Sequence, residues 1–181
     1  MTAFMAAYVR VIERLNYRIG RFAMYLIFVM IAVLLWSSFT KTAPFMRPSL
    51  WTLEIAQFLM VAYFVLGGPY SIQLESNVRM DLAYGALSLR GKALTDTFTV
   101  AFLIVYLGFL LYGGINSLTY SIEFGERSSS VWRPYMWPIK AVTVLGIVLM
   151  LLQAIAELFK DIGRYRTGSD DPYGLGARGD A

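Results

Sequence analysis

Four long apolar runs, at 22–39, 53–74, 98–118 and 141–156, leave this chain few ways to fold. A helix that crosses some 30 Å of hydrocarbon needs roughly 20 mainly apolar residues, within a range of about 17–25. The first and third runs meet that requirement unaided. The second carries Glu54, Gln57 and Gln73 near its ends. The fourth is long enough once Ile139, Lys140 and 157–159 are added as interfacial turns whose charges snorkel towards water. Composition agrees, since 57% of the 181 residues are hydrophobic against roughly 45–50% in an ordinary soluble domain. The expected fold is an all-α membrane protein with four transmembrane helices, at about 19–39, 50–74, 95–118 and 138–160, in a single domain over 1–163. The first run follows arginines as a secretory signal would. Its apolar stretch exceeds the usual h-region of about 7–15 residues, and 38–41 offers no small-x-small cleavage site, so a retained helix is expected.

Ahead of that helix, Phe4, Tyr8, Val11, Ile12, Leu15 and Ile19 recur at helical spacing, with Arg10, Glu13 and Arg14 largely off the stripe. This predicts an amphipathic helix over 3–18 lying at the membrane interface, the alternative being a simple cytosolic extension of the first span. Orientation follows from Lys and Arg near the span ends. One side holds Arg10, Arg14, Arg18, Arg21, Arg79, Arg90, Lys92, Lys160, Arg164 and Arg166; the other holds Lys41, Arg47, Arg127, Arg133 and Lys140. Both termini are therefore expected in the cytoplasm. The net charge of +4 is explained by these flanks and calls for no nucleic-acid partner. Residues 164–181, rich in Gly and charge and without an apolar period, are expected to be a disordered cytoplasmic tail.

The chain has no cysteine and no histidine. Disulfides, iron–sulfur clusters, thiolate metal sites, histidine-held haem and serine–histidine catalysis are excluded within it. No cofactor, metal or catalytic residue is expected. The candidates that remain concern helix ends and partners. Ser49 is placed to cap the second helix, and Glu54 sits in its first turns, where the helix dipole favours an acid. An intramembrane carboxylate also reads as a partner-binding or ion-coupling group. Gly67-Gly68-Pro69 marks a kink or a close backbone approach. The connection 125–138 concentrates Glu126, Arg127, Trp132, Arg133, Pro134, Trp137 and Pro138, with Lys140 just beyond. It reads as an interfacial anchor on the outer side whose charges also suit a partner.

Trp51-Thr52-Leu53-Glu54, Leu66-Gly67-Gly68-Pro69-Tyr70, Glu75-Ser76-Asn77-Val78-Arg79-Met80-Asp81, and the stretch from Gly125-Glu126-Arg127-Ser128-Ser129 to Trp137-Pro138-Ile139-Lys140 follow one another in that order. Gly146 and 151–157 complete the series. In order and spacing, over about 14–161, they resemble the small membrane (Q) subunit of tripartite ATP-independent periplasmic (TRAP) transporters. Gly68-Pro69 departs from the family's usual alanine. The Trp-Pro-Ile-Lys variant looks most like the branch associated with mannitol, chloroaromatic and 2-oxo acid uptake.

The resemblance implies a non-catalytic subunit in the bacterial inner membrane. Its implied partners are a large multi-span subunit that carries the substrate and sodium sites, a transient periplasmic binding protein that delivers an organic acid, and membrane lipids. Trp51, Glu54, Arg79, Asp81, Glu126, Arg127, Trp132, Arg133, Trp137 and Lys140 are the candidate interface or anchor residues. Two other readings stand beside it. An independent small oligomeric transporter or channel would need Glu54 or Gln57 to couple ions, and a membrane enzyme would need Glu123, Glu126 and Arg127 to act with the serines at 128–130.

Overall fold

The computed structural model describes residues 2–42, 47, 49–74 and 89–167. They form four helices: α1 (Thr2–Thr42), α2 (Thr52–Gln73), α3 (Leu89–Glu123) and α4 (Trp137–Thr167). All four are long and apolar enough to cross a membrane, and there is no strand among the described residues. The four expected spans are all present, and their ends differ from those expected. α1 runs unbroken through the segment expected as a separate helix over 3–18, and α4 continues to Thr167. The physical reason is that hydrocarbon thickness limits the apolar run and not the helix, which goes on hydrogen-bonding in water or against a neighbour. At about 1.5 Å per residue the 41 residues of α1 span about 60 Å, twice the hydrocarbon core.

Contacts define the architecture. α2 packs on α1 and α4, α1 also meets α4, and α3 packs on α4 with at most a marginal touch elsewhere among the described residues. In lipid the helices gain nothing from hiding apolar surface from water, so close backbone approach and polar contacts must hold them. Glycines supply the approach. A Cβ at Gly20 of α1 would lie 2.5 Å from Tyr70 Cβ of α2, and one at Gly146 of α4 would lie 2.1 Å from Val65 Cγ1 and 2.9 Å from the Val65 carbonyl oxygen. Gly68 faces the end of the Met150 side chain on α4, where a Cβ would lie 2.9 Å from the terminal methyl, whereas a Cβ at Gly67 meets nothing within 4 Å. α2 runs on through the buried Pro69 to Gln73. Because Val65 meets Gly146 and Gly68 meets Met150, α2 and α4 run parallel, and α1 and α3 run against them.

The N-terminal half of α1 packs along α4 through a face that includes Tyr8 and Ile12 of the apolar row. Val9 and Ile12 are buried against Ala156, with Tyr8, Leu152 and Phe159 around them, and the Tyr8 hydroxyl donates to the Leu152 carbonyl at 3.2 Å. Phe4, Val11 and Leu15, members of the expected stripe, point outward. On the other side of α4, Leu107 packs with Ile147 and Ala154.

Candidate functional site

Two polar regions stand at opposite ends of the helices. At the end where α1 stops and α2 and α4 begin, a hydroxyl cluster ties the α1–α2 connection. Thr52 Oγ1 donates to Ser37 Oγ at 2.9 Å, and Ser49 Oγ lies 3.3 Å from Thr52 Oγ1 and 3.2 Å from Thr40 Oγ1. Ser49 does not cap α2: Trp51 occupies the capping position with no side-chain cap bond, and the Ser49 hydroxyl is turned into this cluster instead.

Beside it, the connection between α3 and α4 folds as a compact turn. Gly125, at φ 58°, reverses the chain after α3, a left-handed conformation that suits a residue without Cβ. Ser128 N–H then donates to the Pro134 carbonyl at 2.9 Å and Met136 N–H to the Glu126 carbonyl at 3.0 Å, which brings Arg127 opposite Tyr135. The Arg127 guanidinium lies 4.2 Å from the Tyr135 ring centre and bonds its hydroxyl. Lys140, in the first turn of α4, forms an ion pair with Glu126. Among the described residues Arg133 is the non-glycine residue with positive φ, at 50°, and its N–H is held by Ser130 Oγ.

The hydrogen bond from Lys140 holds the Glu126 carboxyl below the ordinary glutamate value of 4.5. A depressed folded-state value means that its contribution to stability is present above the ordinary value and is lost as pH falls through the depressed one. Lys140→Gln is expected to move the Glu126 titration back up towards 4.5, as read by carboxyl-carbon NMR. An unmoved titration would show that the pair does not form.

The ten candidate residues are thus distributed as follows. Glu126, Arg127 and Lys140 come together and are engaged within the loop. Trp51, Trp132, Trp137 and Arg133 stand exposed around it. With Trp36, in the last two turns of α1, all four tryptophans of the chain lie at this end. Glu54 is buried at 8% exposure, and both carboxylate oxygens lack a hydrogen-bond partner among the described residues. Arg79 and Asp81, with their motif, lie outside the described residues, as do 168–181 of the expected tail.

The opposite end holds a polar chain that no single motif announces. Asn16 Nδ2 donates to Gln153 Oε1 at 2.7 Å, Gln153 Nε2 donates to Glu157 Oε1 at 2.9 Å, and Lys160 Nζ donates to the same oxygen at 3.0 Å. Lys160 also pairs with Glu13. The signal was available in register: Glu13 and Asn16 are i, i+3 on α1, and Gln153, Glu157 and Lys160 are i, i+4, i+7 on α4, each set on one helix face. These groups are spent on fastening α1 to α4.

What fold and sites define is an all-helical protein with four helices long and apolar enough to cross a membrane, in which Glu13, Glu157 and Lys160 link α1 to α4 and Glu126, Arg127 and Lys140 hold the α3–α4 turn. The family described as "Tripartite ATP-independent periplasmic transporters, DctQ component" matches residues 30–164, well over half of the chain. The chain belongs to that family and is a TRAP transporter small (Q) subunit. No curated protein and no solved structure matches it.

Proposed function

We propose that the chain is the non-catalytic small permease subunit of a sodium-coupled, binding-protein-dependent transporter for organic acids in the bacterial inner membrane. It enlarges the static scaffold beside an elevator-type large subunit. The helix arrangement carries this reading. α3 is fastened through α4, and only 11%, 11% and 6% of the most apolar windows of α1, α2 and α3 are covered from within the chain. A self-sufficient secondary transporter is built around a midplane site between broken helices. Here α1 to α4 are continuous, and the polar clusters lie at the two ends. Those outward faces suit lipid and a second membrane protein.

In this reading the tryptophan-rich end is periplasmic, with Trp51, Trp132 and Trp137 at headgroup level and Arg133 as the charge turned towards a partner. The start of α1 is a cytoplasmic amphipathic arm: Phe4, Val11 and Leu15 are exposed beside Arg10, Arg14, Arg18 and Arg21, an arrangement that suits a membrane surface. The substrate branch follows the resemblance of Trp137-Pro138-Ile139-Lys140.

A tagged chain is expected to co-purify with a large multi-span subunit from mild detergent, to retain it less well as Arg133→Glu, and to support no uptake alone in liposomes. Robust uptake by the isolated chain would favour the independent-transporter reading and overturn the scaffold.

A further inference from the structure

α1 and α2 enclose a groove of about 430 Å³ near the end remote from the tryptophans. Gly20 on α1 and Gly67 and Gly68 on α2 line it together with Tyr63, Phe64 and Tyr70. A Cβ placed at Gly67 would meet nothing within 4 Å, so this glycine leaves open space where the others serve helix contacts. The aromatic wall leads to a cation. Tyr70 meets Tyr17 edge-on at 5.8 Å between ring centres, and Arg21 stacks 5.4 Å above the Tyr17 ring while donating to its hydroxyl at 3.3 Å. Arg14 and Arg18 are exposed at i and i+4 of the row that Arg21 completes at i+7.

We propose that this groove is a binding site for one phospholipid with an anionic headgroup. Beside the hollow at Gly20 and Gly67, the Tyr70–Tyr17 pair leads to the Arg21 guanidinium, and this grouping of hollow, aromatic and basic parts matches the acyl chain, glycerol ester and phosphate of a lipid in a membrane leaflet. The guanidinium offers paired N–H donors that fit phosphate oxygens, and basic pockets between spanning helices favour acidic headgroups. A polar small molecule would find few partners inside, because apart from the Tyr and Ser71 hydroxyls the lining is glycine and apolar side chain. The inference rests on the helices spanning a membrane and not on the scaffold role.

Native mass spectrometry of the full chain, with phosphatidylglycerol or phosphatidylcholine added, tests the proposal. The unaltered chain is expected to retain one phosphatidylglycerol in preference to phosphatidylcholine. Gly67→Leu places a side chain in the groove at a position where a Cβ meets nothing within 4 Å, and is expected to weaken that retention by about tenfold or more with helical content unchanged. Arg21→Gln leaves the groove open and is expected to keep one lipid while losing the preference for phosphatidylglycerol, which tests the site without relying on the first variant. Equal retention by Gly67→Leu, or an Arg21→Gln chain with its preference intact, would overturn the proposal. So would displacement of the lipid by inorganic phosphate alone, or a Gly67→Leu chain that loses the large subunit but keeps the lipid, since the groove would then seat a free anion or the partner.

Discussion

Lys160→Met is expected to destabilise the protein by about 3 kcal/mol, read as a fall in the denaturation midpoint in detergent. Lys160 is the one cation facing Glu13 and Glu157 in the described α1–α4 polar chain, and the three side chains keep only 15%, 17% and 9% of their surface exposed. Removing the cation leaves two carboxylates with poor access to water and no counter-charge. Breaking a buried pair from one side costs about 3–5 kcal/mol, and the residual exposure places this case at the lower end. Replacing Glu13 and Glu157 by Gln in the same chain is expected to recover most of the loss, because the penalty comes from uncompensated charge and not from absent contact. A Lys160→Met chain that melts with the unaltered protein would mean that the network contributes nothing to holding α1 on α4.

Gly146→Ala is the second large effect, expected at about 1–3 kcal/mol of destabilisation from overpacking. The added methyl would lie 2.9 Å from the Val65 carbonyl oxygen and 3.1 Å from its carbon, so a rotamer change of Val65 does not relieve the clash and the axes of α2 and α4 must separate. Gly108→Ala and Gly113→Ala on α3 provide the contrast. A Cβ at either meets nothing within 4 Å, and these variants are expected to be neutral or slightly stabilising. If all three alanines melt alike, α2 and α4 are not in the close contact described here.

The number and place of the helices were legible in the sequence because lipid demands unbroken apolar runs. The packing faces were not. In water, apolar periodicity marks the buried side, but in a bilayer the outside is as apolar as the inside, so that of one apolar row Tyr8 and Ile12 pack against α4 while Phe4, Val11 and Leu15 are exposed. The residues that locate the true face are Asn16 and Gln153, buried because they bond to each other. Helix ends extend beyond the apolar runs for a related reason, since polar residues that close an apolar run, such as Lys160 and Arg164, are good helix formers. In the α3–α4 turn, the concentration of tryptophans and prolines was readable. The pairing of Arg127 with Tyr135 and of Glu126 with Lys140 depends on a chain reversal between them, and the positive φ of Arg133 has no signature in an arginine. Glu54 was readable as an acid near a helix start, but its burial comes from tertiary packing that position along the helix does not determine.

The dependence of α3 on α4 has a consequence for how the protein is made. As the chain leaves the ribosome, α1 and α2 can pair as soon as both are in the bilayer. α3 then enters with almost nothing of the described chain to lean on, its row of Phe98, Phe102, Phe109 and Tyr112 being exposed. Among the four described helices, α4 contacts each of the other three and is synthesised after them. A chain halted before residue 137 would therefore carry a paired hairpin and a solitary span, a state that membrane quality control can distinguish from the finished subunit.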